Sequence, residues 1–147
     1  MTNYLLDTSV LLLLVRAGGI GNSLRSAYRL DDPIMRPLVS IVSHGEIRVL
    51  ADRNRWGPDK QKTLQDLLDS LATVRIDAQA IVDAYVELAL VSQRHAEGAR
   101  AISDNDLWIA ATTKAAGAVL LTSDKDFLHF HPQHLAVEFI DQGSPLP

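Results

Sequence analysis

Short apolar runs recur along this chain, and each is followed at once by small polar or acidic residues and then by a segment of helix length. Tyr4 to Leu6 reads as a buried strand, followed by Asp7-Thr8-Ser9 and the apolar run Val10 to Val15, which reaches helix length once the turn is included. Leu38 to Val42 is a second strand, β-branched and bounded by Pro37 and Ser43. The helix after it, SHGEIRVLADR, has Ser43 as its expected N-cap and Glu46 at the capping-box position. Thr73 to Ile76, Ala118 to Leu121 and Val137 to Ile140 supply the third, fourth and last strands. Strands that alternate with helices form a mostly parallel sheet, here of about four to five strands, covered on both faces, so the fold class is α/β. Such sheets bind ligands at the carboxyl ends of their strands.

The helices have signals of their own. Gly18-Gly19-Ile20-Gly21 is expected to break the chain, with Asn22 capping a short helix through Leu30. Residues 59 to 72 place Leu64, Leu67, Leu68 and Leu71 at helical spacing, and Ala78 to His95 do the same with Ile81, Tyr85, Leu88 and Val91. The stretch SDNDLWIAATTKAAG, residues 103–117, opens on Ser103 as N-cap with Asp106 three residues later and closes on Gly117 as C-cap. A length of 147 residues with 47% hydrophobic content suffices for one packed core. No repeat, low-complexity tract or long linker divides the chain, so residues 1–147 are expected to form a single domain with 142–147 as a frayed tail.

Composition narrows the chemistry. Cysteine is absent, which removes disulfides and thiolate metal sites and fits a reducing compartment. The apolar run Val10 to Val15 is far short of the ~20 residues a membrane span needs, and the N-terminus lacks the basic start and cleavage site of a secretory signal. A soluble cytoplasmic protein with no membrane partner is the expectation. A formal charge of -4 counts against gripping nucleic acid by bulk positive charge. Divalent cations held by some of the acids would offset that charge and could themselves meet phosphate. Gly19 and Gly21 resemble a dinucleotide loop, but no strand precedes them and Leu24 stands where a third glycine belongs, so no nucleotide cofactor is expected.

The acids then fall into place. Asp7 ends the first strand, Glu46 lies in the first turn after the second, Asp124 follows the fourth, and Asp106 starts the helix leading into that fourth strand. Singly, each has an ordinary reading as a turn or cap residue. Jointly, three belong to one edge of a parallel sheet, and Asp106 joins them if its helix starts there. Carboxylates crowded together raise one another's pKa and repel, so an intact cluster requires a cation. Oxygen-only ligation selects a hard ion, Mg²⁺ or Mn²⁺. Carboxylate-held divalent ions suit phosphoryl transfer on nucleic acid, because they activate water and stabilise the leaving oxygen without a nucleophilic side chain.

YLLDTSVLLLLV, SIVSHGEI, DNDLWIAA and LLTSDKDF resemble, in order and at plausible intervals, the four motifs of PIN-domain nucleases, especially the short VapC-type toxins of bacterial toxin–antitoxin pairs. The resemblance runs from Tyr4 to about Phe127. It implies a PIN-like fold in which Asp7, Glu46, Asp106 and Asp124 are the catalytic, metal-binding quartet, with Thr122 supporting them through its hydroxyl. It also implies a Mg²⁺-dependent endoribonuclease, with Mn²⁺ as a substitute, that cleaves structured RNA (tRNA, rRNA or mRNA). A cognate VapB-like antitoxin and a homodimer are the implied partners. The D-x-x-I-A-A phase selects Asp106 over Asp104, and the T-x-D spacing selects Asp124 over Asp126.

Other features are weighed against plainer readings. Asp104 and Asp126 are expected to solvate a helix start and a loop. His129, His131 and His134 form H-x-H-x-x-H, which could bind a transition metal, although a loop beside Pro132 reads as solvated. Arg48, Arg53 and Arg55 could touch RNA phosphates or face solvent. Trp108 could stack a base, but core burial is expected. The apolar stripes of residues 64–71 and 81–91 are read as core, with any exposed part available to a partner helix or a second copy. Two competing functions stand beside the nuclease. One is a catalytically inactive PIN-like module that docks a basic partner on its acids. The other is a haloacid-dehalogenase-like phosphatase, which LLDTSV resembles, although that family needs a second Asp where this chain has Ser9.

Overall fold

The computed structural model describes residues 2–16, 18–95 and 97–143. In chain order the elements are β1 (Tyr4–Leu6), α1 (Thr8–Val15), α2 (Gly19–Tyr28), β2 (Leu38–Ser40), α3 (Ile41–Arg53) and α4 (Pro58–Ser70). They continue with β3 (Ala72–Val74), α5 (Gln79–Gln93), α6 (Asp104–Ala115), β4 (Val119–Thr122), a 3-10 helix (Lys125–Phe130) and β5 (Val137–Phe139). The strands form one sheet in the order β3-β2-β1-β4-β5. Every neighbouring pair is parallel, so the mostly parallel sheet expected from the sequence is wholly so.

Because successive strand residues point to opposite faces, the register divides the core in two. Leu6, Val39 and Leu121 belong to one apolar cluster with residues of α1 to α4, including Leu11, Leu24, Ile47 and Leu68. Leu5, Leu120 and Val137 belong to the other, with Leu88, Ile109, Phe127 and Phe130. Both sheet faces are therefore covered, which explains why the strand sequences lack alternation. Among the described residues no helix is long and apolar enough to cross a membrane.

Several boundaries differ from the sequence reading. Ser40, not Ser43, caps α3: its side chain accepts the Val42 N–H at 3.1 Å, and Ser43 is buried inside the first turn. Ile41 and Val42 are β-branched and look like strand, yet they open the helix. Glu46 is consequently in the second turn of α3 and takes no part in a capping box. Helix α2 starts at Gly19, so Asn22 lies inside it and does not cap it. Gly21 is a packing residue there, since a Cβ at that position would meet the Leu13 carbonyl oxygen at 3.1 Å. The third strand is Ala72–Val74, and the fourth extends to Thr122. The frayed-tail reading falls largely on residues 144–147, outside those described; residues 142 and 143 form a turn.

Helix α6 follows its sequence signals at both ends. Ser103 Oγ accepts the Asp106 N–H at 3.1 Å. Gly117, at φ +63°, sends its N–H to the Lys114 carbonyl while Ala118 bonds that of Thr113, which is a Schellman closure.

Candidate acidic active site

The carboxyl ends of β1 and β4 lie side by side, and Asp7 follows the first of them. Its N–H reaches the Leu121 carbonyl at 3.0 Å, continuing the ladder one residue beyond the strand. The side chain is 3% exposed. Asp7 Oδ2 accepts hydroxyl hydrogen bonds from Thr122 at 2.7 Å and Ser9 at 2.8 Å. The same Thr122 oxygen accepts the Asp124 N–H at 3.0 Å, and Ser9 Oγ accepts that of Ser123 at 3.0 Å. Burial pushes the Asp7 carboxyl above its ordinary pKa; the Thr122, Ser9 and Thr8 hydrogen bonds oppose this, and the charge of Asp124 adds to it.

Glu46 reaches the site from α3 between two neutral partners. Its Oε1 lies 2.8 Å from the Thr8 hydroxyl, which is also 2.9 Å from Ser43 Oγ. One hydroxyl has a single hydrogen, so Ser43 can donate to Thr8 while Thr8 donates to Glu46. Asn105 Nδ2 donates to Glu46 Oε2 at a longer 3.4 Å.

Asp106, in the first turn of α6, is where these groups converge. Its carboxyl is pushed up to about 7, first by burial and then by the charges of Asp7 and Asp124; the Ser103 hydrogen bond opposes the rise and Glu46 adds to it. Three of the acids selected from the sequence therefore act on the carboxyl of the fourth, although they come from separate elements.

Asp124 caps the 3-10 helix, its Oδ1 accepting the Asp126 N–H at 2.9 Å. Asp106, Asp124 and Asp126 each present a carboxylate oxygen, and these three oxygens lie within 4.8 Å of one another. A hard cation at roughly 2.0–2.6 Å from its oxygen ligands fits separations of this size. Asp126, read from the sequence as loop solvation, is thus brought to the cluster by a 3-10 turn that the sequence did not announce. Asp104 is engaged differently: the Tyr85 hydroxyl donates to its Oδ1 at 2.9 Å, and Tyr85 stacks on Trp108 with centroids 4.1 Å apart. Trp108 is half-buried against the second core cluster.

The histidines are employed separately. His129 Nε2 meets Ser92 Oγ at 2.8 Å, and His131 Nδ1 accepts the Val137 N–H at 3.0 Å. Among the described residues, Asp106, Asp124 and Asp126 are the one group of three or more His, Asp or Glu side chains close enough to share an ion. Arg48 donates to Gln65 Oε1 at 3.3 Å. Arg53 lines a groove with Ile41, Val42, Glu46, Val49 and Asn105, in which Ile41 and Val49 are 42% and 55% exposed. Sequence reasoning missed the supporting roles of Thr8, Ser9, Ser43 and Asn105; the hydroxyls packed around Asp7 in DTS, and the amide between two acids in DND, were the available signals.

The sequence profile of the PIN domain matches residues 4–131. Solved structures share the fold over nearly the whole chain. VapBC2 from Rickettsia felis, bound to a DNA fragment from the promoter, is similar with a TM-score of 0.74 at 20% identity, covering 95% of this chain and 100% of that one. VapBC-1 from nontypeable Haemophilus influenzae gives a TM-score of 0.75 at 21% identity, covering 94% and 98%. FitAcB from Neisseria gonorrhoeae gives 0.69 at 21%, covering 93% and 96%. No curated protein matches the sequence.

Proposed function

The chain belongs to the PIN-domain family, and from that premise we propose that it is a metal-dependent endoribonuclease, the toxin of a toxin–antitoxin pair. The observation that carries this reading is the convergence of Asp7, Asp124 and Glu46 on the Asp106 carboxyl, pushed up to about 7. Such a cluster is repulsive by itself and is relieved by a cation. Its donors are all carboxylate oxygens, which suits Mg²⁺, or Mn²⁺ in its place.

Asp7, Glu46, Asp106 and Asp124 would hold the ion. When bound, it supplies Lewis-acid stabilisation of the charge that develops on the phosphate and the leaving oxygen. The chain's own residues prepare for this. Thr122 and Ser9 fix one oxygen of Asp7 and orient the other. Thr8 and Asn105 hold Glu46. Burial and the neighbouring acids favour the protonated form of Asp106, and a bound cation would favour its carboxylate. Arg53, which shares a groove with Glu46, is the proposed contact for phosphates of a structured RNA: tRNA, rRNA or mRNA.

A VapB-like antitoxin is the proposed partner, in keeping with the VapBC complexes to which the fold is similar, and the toxin is proposed to pair as a homodimer in the cytoplasm. The inactive binding module is disfavoured because the sequence retains all four acids of the quartet that the PIN resemblance implies. A phosphatase that uses Asp7 as nucleophile is disfavoured because Ser9 replaces the acid it needs and is hydrogen-bonded to Asp7 itself.

Incubation of the purified protein with RNA in Mg²⁺ or Mn²⁺, then with EDTA, tests the proposal. Cleavage is expected to need the metal and to fall by about a hundredfold or more in Asp7→Asn, the scale on which removing one transition-state-stabilising group acts. Metal-independent cleavage, or wild-type rates in Asp7→Asn, would overturn it. Mapping the cut positions then identifies the RNA class.

A further inference from the structure

We propose that Asp126 is a ligand of the divalent cation, joining Asp106 and Asp124 on the β4 side of the site. The inference rests on the metal-dependent reading above and adds a residue that lies within LLTSDKDF but outside the quartet. Its carboxylate oxygen lies with those of Asp106 and Asp124 inside a 4.8 Å limit. Asp124 has one oxygen committed to the Asp126 N–H, which leaves the other free to face the shared space.

The placement follows from the turn. Asp124 is the cap of the 3-10 helix and Asp126 its second residue, so a tight turn of about three residues carries the Asp126 side chain back toward the cap. Packing fixes this turn from below: Phe127 and Phe130 are fully buried. The His129 ring hydrogen-bonds the Asp126 backbone carbonyl and meets Ser92 Oγ on α5 at 2.8 Å. Although Asp126 is exposed, its position is set by the core beneath it.

Charge argues the same way. Some surface acids on this chain are paired with cations, as Asp66 is with Lys62 and Asp77 with Arg75. Among the described residues Asp126 has no such ion pair with lysine or arginine, and the groups nearest to its carboxylate include two more acids. A cation satisfies all three at once.

Direct titration with Mn²⁺, following the free ion by electron paramagnetic resonance, tests this on the intact protein without RNA. Asp126→Asn is expected to raise the Kd about tenfold or more, as loss of one charged ligand from a hard-ion site does. Asp124→Asn should weaken binding too, and Asp77→Asn, exposed and outside this group of acids, should not. Wild-type affinity in Asp126→Asn beside a weakened Asp124→Asn would overturn the proposal and leave the metal-dependent reading intact. Absence of Mn²⁺ binding by the unmodified protein at millimolar concentration would overturn both. Thermal unfolding guards against a folding defect. In EDTA, Asp126→Asn and Asp126→Ser should melt no lower than wild type, and Mn²⁺ should raise their midpoints less; an equal rise in all three counts against Asp126 as a ligand.

Discussion

Burial and crowding by other acids make the Asp106 carboxylate costly to ionise. Its pKa is raised from 3.8 to about 7, by burial first and then by Asp7 and Asp124. Since the folded value exceeds the unfolded one, the unfolded chain binds fewer protons between these limits, and this group's contribution to stability declines as pH rises from about 4 through 7. Asp106→Asn removes that penalty. In EDTA at pH 8 the variant is expected to be more stable than wild type by about 1–2 kcal/mol. This is well below the roughly 4 kcal/mol that ~1.4 kcal/mol per pKa unit gives over the rise from 3.8 to about 7, because the carboxyl is only half-buried. Near pH 4 the difference should vanish. Urea unfolding at the two pH values measures it, and a variant less stable than wild type at pH 8 would show that the carboxylate is held by partners and not repelled by its neighbours.

At the scale of elements, caps decided which boundaries could be read. Helix α6 was legible because each end carries local chemistry: Ser103 bonds the Asp106 N–H, and Gly117 adopts the left-handed conformation that closes the helix. The start of α3 was not legible, because Ser40 and Ser43 offer the same hydroxyl and the intervening Ile41 and Val42 suit strand and helix alike. A strand buried on both faces has no alternation to mark its end. The same reasoning applies to the site. Acids that follow apolar runs could be placed from sequence, whereas Asp126 required a 3-10 turn, and the Thr8 and Asn105 contacts to Glu46 required side-chain positions that no spacing encodes. Ser40→Ala, which loses the α3 cap, is expected to lower stability by about 1 kcal/mol. Chemical denaturation would detect that loss, and an unchanged midpoint would mean that the Val42 N–H finds another acceptor.

The whole sheet explains why the acids meet where they do. From β1 the chain moves outward through β2 and β3, then returns to the other side of β1 for β4 and β5. The connections leave β1 and β4 in opposite directions, and a crevice opens at their carboxyl ends. Asp7 and Asp124 border it, α6 delivers Asp106 to it, and α3 brings Glu46. A cation bound in that crevice joins four elements of the folded chain and finds no such site in the unfolded one, so it should stabilise the protein as a whole. At a hundredfold excess over Kd the gain is about 2.7 kcal/mol. For a domain of this size, that is an upward shift in Tm of about 5–10 °C. The shift should be larger at pH 8 than at pH 6, because at the lower pH binding must first displace the proton on Asp106. Calorimetry in EDTA and in Mg²⁺ at both pH values makes the comparison. Equal melting in EDTA and in Mg²⁺ at each pH would mean that the crevice gathers acids without gathering an ion.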